Sequence, residues 1–115
     1  WEAAMAASYF KLGNLTAIVD RNRLQLADRT EKIMGLEPLA DKWRAFGFEV
    51  SEVDGNSMAE LVACLESLDY SGERPHLVLA HTVKGKGVSF IEDNAPWHHK
   101  VPSGDEVVKA IEELE

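Results

Sequence analysis

The chain has 115 residues, 45% of them apolar and 28% charged, with 20 Asp and Glu residues against 12 Lys and Arg residues. This composition argues against a disordered chain and predicts one compact domain with a buried core. Because the net charge of -8 repels nucleic acids and anionic membranes, we expect neither as a partner. No apolar run approaches the roughly 20 residues that a bilayer span needs.

Cysteine usage and the first residue bear on compartment and completeness. The single Cys64 cannot form an internal disulfide, and its position among apolar residues predicts a small buried side chain. With no signal-peptide pattern at the amino end, this favours a reducing, cytoplasmic location. The chain starts at Trp1, without an initiator Met and within a helical pattern, so we expect it to be a fragment of a longer protein.

Helix and strand patterns alternate along the first half of the chain. An alanine-rich helix is predicted over 1–12, where Gly13 ends it, and a strand follows over 15–20. A second helix over 38–46 leads into a strand over 48–53. Each strand follows its helix directly, so the pattern predicts two αβ units.

The second half begins with a third αβ unit. A capping box, in which a serine and a glutamate satisfy backbone N–H groups, predicts a helix start at Ser57–Glu60, and a strand follows over 76–83. The apolar face of this helix is Leu61, Cys64, Leu65 and Leu68. A second capping box, Ser103–Glu106, starts a last helix. Strands separated by helices predict an α/β fold with a mostly parallel sheet flanked by helices on both faces.

Polar residues follow two of the predicted strands. The first strand runs into Arg21 and Asn22, and the third runs into Lys84–Gly87 and the rest of an irregular segment, 84–102. A segment of this length without secondary structure is usually functional or disordered, and its Gly, Trp, His and Lys content favours function. Because open α/β sheets bind ligands at the carboxyl ends of their strands, we expect one site there.

The residue types at this edge are those of a phosphorylated-cofactor site. The amide oxygen of Asn22 and the backbone carbonyl of Leu24 are hard oxygen ligands that suit Mg²⁺. A flexible Gly-Lys-Gly segment lets an ammonium group and backbone N–H groups approach an anion closely. His98 can exchange a proton near neutral pH.

Each of these residues also has a structural interpretation. Asn22 can be a turn residue that accepts a backbone hydrogen bond, and His98 a packed loop anchor. His81 is predicted as a hydrogen-bonded residue of the core or the strand end rather than a catalytic one. Lys84 and Lys86 can be solvated loop charges, and Asp20 can cap its own loop. Asp28 and Thr30 are predicted to be ordinary turn residues.

Five segments, in the same order along the chain, resemble transketolase. The resemblance is to the C-terminal part of its thiamine diphosphate-binding domain, as found in the N-terminal subunit of split, two-subunit transketolases. The segments are Trp1–Met5, Gly13–Asn22, Leu36–Trp43, Ala80–Phe90 and Trp97–His98. The resemblance implies that residues 1–115 are a partial thiamine diphosphate-binding domain and that 84–102 is an active-site loop within it.

The resemblance assigns metal ligands. The family motif begins with Gly-Asp-Gly and ends about thirty residues later in an Asn that follows a strand. Asn22 matches this Asn, which implies that its side chain binds Mg²⁺ and that the carbonyl of Leu24 binds the same ion. The opening Gly-Asp-Gly, whose Asp is a further metal ligand in the family, is absent from the chain, and we expect it just before Trp1.

The resemblance also assigns cofactor and substrate contacts. Lys84 matches a lysine that faces the cofactor, His98 a catalytic histidine that reaches both cofactor and sugar, and Lys100 a substrate-side lysine. His99 stands where relatives usually carry Gly, so its imidazole is expected to narrow the sugar channel or to displace His98.

The activity implied is transfer of a two-carbon ketol unit between a ketose phosphate and an aldose phosphate, with thiamine diphosphate and Mg²⁺. In the family, the glutamate that activates the cofactor lies on a pyrimidine-binding C-terminal domain or subunit. We therefore expect a homodimer or heterotetramer and no activity from the isolated chain. Alternatives are deoxyxylulose phosphate synthase, a ketoacid dehydrogenase E1 component, or a non-catalytic doubly wound interaction module. The pair Trp97-His98 and the run Val83–Gly87 favour transketolase.

Overall fold

The computed structural model describes residues 1–115 and divides the chain into two compact units. Unit 1 consists of Trp1–Arg21 and Glu37–Thr82, and unit 2 consists of Asn22–Leu36 and Val83–Glu115. None of the helices is long and apolar enough to cross a membrane. The elements in chain order are α1 (Glu2–Tyr9), β1 (Thr16–Arg21), β2 (Leu24–Gln25), β3 (Asp28–Arg29), α2 (Thr30–Ile33), α3 (Leu39–Ala45), β4 (Glu49–Asp54), α4 (Met58–Ser67), β5 (His76–His81), a 3₁₀ helix (Ala95–His98) and α5 (Asp105–Leu114).

A parallel three-stranded sheet forms the centre of unit 1, in the order β1-β5-β4. Residues His76 to Ala80 of the middle strand β5 are all buried. A continuous apolar run is typical of a parallel strand that is covered on both faces. The predicted α/β class and parallel sheet are confirmed. The predicted first helix is shorter than expected, since it ends at Tyr9, and the third strand ends at His81.

The core of unit 1 lies between α1 and the sheet. Ala4 and Ala7 of α1 pack against Phe48 and Leu77, while the larger side chain of Tyr9 on the same helix is exposed. Alanine leaves room for the helix to approach the sheet closely. Full burial of a leucine such as Leu77 contributes about 1.5–3 kcal/mol to folding.

The capping boxes are confirmed in part. Oγ of Ser57 accepts a hydrogen bond from the N–H of Glu60 at 3.3 Å, but the Glu60 carboxylate accepts from Asp54 rather than from Ser57. In the second box Glu106 accepts from the N–H of Ser103, whose own side chain does not cap the helix. The predicted apolar face of α4 is half-buried, so the expectation of a buried Cys64 is wrong.

Unit 2 contains a short antiparallel hairpin, β2–β3, followed directly by α2. Asp28 lies in β3, and Thr30 is buried at the start of α2, where its N–H donates to the carbonyl of Arg23 at 2.9 Å. The prediction that Asp28 and Thr30 are ordinary turn residues is therefore wrong. The hairpin lacks the Asn-Gly or Asp-Gly connection that usually reveals such a turn. The segment 84–102, expected to be irregular, contains the 3₁₀ helix.

Candidate functional site

Unit 2 contains a cleft with a volume of about 570 Å³, within the range of small-molecule sites. Its lining comes from two segments, which we call the hairpin wall (Asn22–Leu26) and the loop wall (Lys84, Ala95 and His98). The lining residues are Asn22, Leu24, Gln25, Leu26, Lys84, Ala95 and His98. Four of the five residues predicted for the site thus line one cleft.

The hairpin wall begins with a tight turn. Oδ1 of Asn22 accepts a hydrogen bond from the N–H of Leu24 at 2.9 Å, as the turn interpretation of Asn22 predicts. An amide oxygen has two lone pairs, so one remains for a ligand. Arg23 and Leu26 adopt φ values of +64° and +52°. Left-handed conformations of such residues cost about 1–2 kcal/mol each and persist where surrounding structure imposes them, often at functional sites.

The loop wall is also built on a tight turn, which follows Lys84. Gly85 has a φ of +71°, and a Cβ atom there would lie 2.4 Å from Cγ2 of Ile91, so the turn requires glycine. The N–H of Lys86 donates to the carbonyl of Val83 at 3.2 Å. These contacts fix the backbone at the point where Lys84 enters the cleft lining.

Carboxylate contacts complete the same turn. The N–H of Gly87 donates to Oε1 of Glu92 at 2.9 Å, and this hydrogen bond lowers the pKa of Glu92. The ammonium of Lys86 lies 3.5 Å from the same carboxylate. The N–H groups of Lys86 and Gly87 are therefore bonded within the loop and are not offered to an anion, in contrast to the expectation for the Gly-Lys-Gly segment. Lys84 is the cation that lines the cleft.

Of the two predicted site residues in this part of the chain, His98 lines the cleft and Lys100 does not. His98 ends the 3₁₀ helix, lines the cleft and is exposed, and its ring lies edge-on to His99 with centroids 4.6 Å apart. Lys100 does not line the cleft. Its ammonium lies 4.7 Å from the centroid of the Trp97 ring, a cation–π contact. Trp97 in turn packs against Phe90, with centroids 5.3 Å apart.

Two polar residues at the carboxyl edge of the sheet in unit 1 have structural partners. Nε2 of His81 lies 3.0 Å from the Glu52 carboxylate, so the prediction of a hydrogen-bonded residue at the strand end is confirmed. Asp20 accepts a hydrogen bond from the hydroxyl of Thr82.

Sequence reasoning missed Gln25, Leu26 and Ala95 in the cleft lining. Apolar and neutral residues carry no chemical signal of their own. The alternation of apolar and polar residues over 24–26 is the one available indication of a strand, but β2 is too short for this periodicity to identify it.

The polar groups that line the cleft suit an anion with a metal ion already bound to it. The lining offers the amide oxygen of Asn22, backbone carbonyls, the ammonium of Lys84 and the imidazole of His98, but no carboxylate. No group of three or more His, Cys, Asp or Glu side chains in the chain could hold a metal ion. Mg²⁺ usually binds one or two carboxylates together with phosphate oxygens. These residues therefore fit a diphosphate with bound Mg²⁺, in which the diphosphate rather than the protein supplies most of the negative charge that balances the metal.

Comparisons with known proteins agree over nearly the whole chain. Residues 1–114 match the family model described as transketolase, thiamine diphosphate binding domain. The chain is 47% identical to one of the subunits of apulose-4-phosphate transketolase from Phocaeicola vulgatus and 54% identical to the protein of the same name from Actinobacillus succinogenes. Each match covers 99% of this chain and 41% of the relative.

Among solved structures, the transketolase of Campylobacter jejuni superposes with a TM-score of 0.84 at 30% identity, covering 98% of this chain and 18% of that one. The chain spans about two fifths of the length of the curated relatives named above. Since the family model matches almost every residue, the chain belongs to the transketolase family and forms part of its thiamine diphosphate-binding domain.

Proposed function

We propose that the complete protein is a transketolase, in which this chain supplies part of the site for the diphosphate and metal of thiamine diphosphate. The observation that supports this most is the cleft of unit 2, whose lining combines Asn22, Leu24, Lys84 and His98. The family match favours a transketolase over the other thiamine diphosphate enzymes and over a non-catalytic module.

The hairpin wall would hold the metal. The second lone pair of the Asn22 amide oxygen and the carbonyl of Leu24 would each bind Mg²⁺, and the ammonium of Lys84 would bind the diphosphate. The cleft lining has no carboxylate, and Mg²⁺ usually binds one or two of them, so we expect a further protein ligand from outside the lining. We assign it to the Asp of the Gly-Asp-Gly segment that the resemblance places before Trp1.

When bound, thiamine diphosphate supplies a nucleophilic carbon for the ketone of the donor sugar and accepts the electron pair released when the adjacent C–C bond breaks. The imidazole of His98, exposed at the cleft, would bind the sugar and exchange protons with its hydroxyl groups. Lys100, two residues along the chain, would bind the substrate phosphate after its ammonium leaves the Trp97 ring.

The proposed donor substrate is a ketose phosphate and the acceptor an aldose phosphate. Two relatives with 47% and 54% identity are named for apulose 4-phosphate, so this sugar is the first donor to test, beside xylulose 5-phosphate. The names of both relatives describe them as single subunits of a larger enzyme. We therefore propose that a second subunit binds the pyrimidine of the cofactor, and that a cytoplasmic homodimer or heterotetramer assembles the complete site.

The test uses the complete protein together with its partner subunit. Calorimetry with MgCl₂ present should detect binding of thiamine diphosphate and weaker binding of thiamine monophosphate, and the assembled enzyme should transfer the ketol unit to ribose 5-phosphate. The 115-residue chain alone should be inactive. Failure of the assembled protein to bind thiamine diphosphate would refute the proposal, and pyruvate decarboxylation without sugar turnover would favour a ketoacid enzyme.

A further inference from the structure

An ion pair joins the two segments that line the cleft. Nη1 of Arg29 donates to Oδ1 of Asp93 at 2.7 Å, and Nη2 donates to Oδ2 of the same carboxylate. Two parallel hydrogen bonds fix the relative orientation of the guanidinium and carboxylate planes, which a single contact does not. Neither side chain lines the cleft, so a direct role in binding the ligand does not explain the pair.

The backbone connects each partner to one wall. Arg29 lies in β3 directly opposite Leu24 of the hairpin wall. The N–H of Asp93 donates to the carbonyl of Lys84 at 2.9 Å, and Asp93 immediately precedes the cap of the 3₁₀ helix that ends at His98. A chain of contacts thus runs from Leu24 through Arg29 and Asp93 to Lys84.

Two further observations concern the state of Asp93. It adopts a φ of +50°, a conformation that aspartate tolerates better than most residues and that determines where its carboxylate points. The hydrogen bonds from Arg29 lower the pKa of Asp93, so the carboxylate is charged at neutral pH. Both partners of the pair are therefore charged at neutral pH.

The exposure of the pair indicates positioning rather than stabilisation of the fold. The side chains of Arg29 and Asp93 are 46% and 45% exposed, and ion pairs with such access to solvent contribute little to folding. Binding sites, in contrast, need their groups held to within about 0.5 Å of the productive arrangement. Loss of the pair should therefore be visible in ligand affinity before it is visible in unfolding.

We infer that the Arg29–Asp93 pair is a positioning device that sets the separation of the hairpin wall and the loop wall, and with it the affinity for thiamine diphosphate. The inference rests on the proposed function. It concerns residues outside the cleft lining, which act through Leu24 and Lys84.

A double-mutant cycle in the complete, assembled protein tests the inference. Arg29→Gln, Asp93→Asn and the double variant are titrated with thiamine diphosphate in MgCl₂. Asp41→Asn is the matched control, since it removes an exposed aspartate that accepts from Arg44 at 2.8 Å in α3 and does not line the cleft. Amide hydrogen exchange at residues 94–98 is measured in the cofactor-free protein, where it reports the mobility of the loop wall without any ligand.

Each single variant should raise the Kd of thiamine diphosphate about fivefold, because the two walls are then no longer held at the separation that the ligand needs. The double variant should be no weaker than the singles, because both substitutions remove the same contact. Exchange at 94–98 should accelerate in the single variants and not in Asp41→Asn. Single variants that bind as tightly as wild type, or a double variant whose effect is the product of the two, would overturn the inference. A wild type that binds no thiamine diphosphate would instead overturn the proposed function, and unaltered exchange in the single variants would then overturn the positioning role as well.

Discussion

Asn22 accepts a hydrogen bond from the N–H of Leu24 at 2.9 Å, so the two predicted metal ligands are already bonded to each other in the turn. Arg23, between them, adopts a left-handed conformation that closes this turn. Because the bond fixes the rotamer of Asn22 before any ligand arrives, little side-chain entropy is lost on binding. The turn interpretation and the proposed ligand role of Asn22 are therefore compatible.

The first prediction separates these two contributions of Asn22. Asn22→Ala removes both the turn acceptor and the proposed metal ligand, and should weaken binding of thiamine diphosphate with Mg²⁺ about tenfold or more in the complete protein. Asn22→Asp keeps an oxygen acceptor and should lose less. Calorimetric titration of both variants gives the comparison. Equal affinities of wild type and Asn22→Ala would remove the basis for the metal assignment.

A second prediction concerns pH and the carboxyl-terminal helix. Glu113 of α5 accepts hydrogen bonds from the N–H of Ser89 and, at 2.7 Å, from its hydroxyl, and these bonds lower the pKa of Glu113. A carboxyl whose folded pKa lies below the unfolded value of about 4.3 contributes its full stability above that pH. The contribution is lost as the pH falls through the lowered folded value.

Glu113→Gln should therefore speed exchange of the Ser89 amide at neutral pH, and the difference from wild type should shrink as the pH falls through the lowered pKa of Glu113. Exchange rates corrected for intrinsic pH dependence provide the measurement. Glu112→Gln, which alters the adjacent exposed carboxylate, serves as control and should have no effect. A difference that is the same at every pH would exclude ionisation of Glu113 as the cause.

The alternation of helices and strands in unit 1 was predictable because local patterns carry it. The apolar run over residues 77–80 of β5 is buried throughout, as a central parallel strand requires. The strand order was not predictable, because the pairing of Thr16 with His76 joins residues far apart in sequence. The hairpin β2–β3 was not predicted for a related reason, since its contacts include Asp93, which is distant in sequence.

The site was predictable where chemistry and strand ends coincide. Asn22 and Lys84 follow strands that are neighbours in the sheet, and both were predicted as site residues because they come after the carboxyl ends of those strands. The conformation of the Gly-Lys-Gly loop was not predictable, because the side chain of Glu92 occupies the N–H of Gly87. Composition indicates unpaired backbone groups there, whereas a single carboxylate later in the sequence accepts a hydrogen bond from one of them. The contact between Lys100 and the Trp97 ring was also not predictable, because the position of Lys100 two residues after His98 does not indicate it.

The third prediction concerns a buried arginine. Arg21 is only 4% exposed, and its Nε and Nη2 atoms donate to Oε1 of Glu37 at 3.1 and 2.8 Å. Oε2 of Glu37 accepts from the N–H of Leu39 at the start of α3. Since Glu37 is half-exposed, Glu37→Ala should cost about 1–3 kcal/mol, and Glu37→Gln, which keeps an acceptor, should cost less. Urea unfolding of the complete protein measures both, with Asp41→Ala as an exposed control below about 1 kcal/mol. A cost for Glu37→Ala no larger than that control would contradict a supporting role for the buried pair.

The last prediction tests whether β5 is the centre of the core. Leu77 is fully buried and packs against Ala4, Ala7 and Phe48. Leu77→Ala leaves a cavity that the surrounding sheet cannot fill, so it should lower the free energy of unfolding by about 2–5 kcal/mol. Val62→Ala is the control, because Val62 is 44% exposed on α4 and its truncation should cost well below about 1 kcal/mol. Urea midpoints of the two variants decide the point. If they differ little, Leu77 is not held in a close-packed core, and the sheet of unit 1 would have to pack differently around β5.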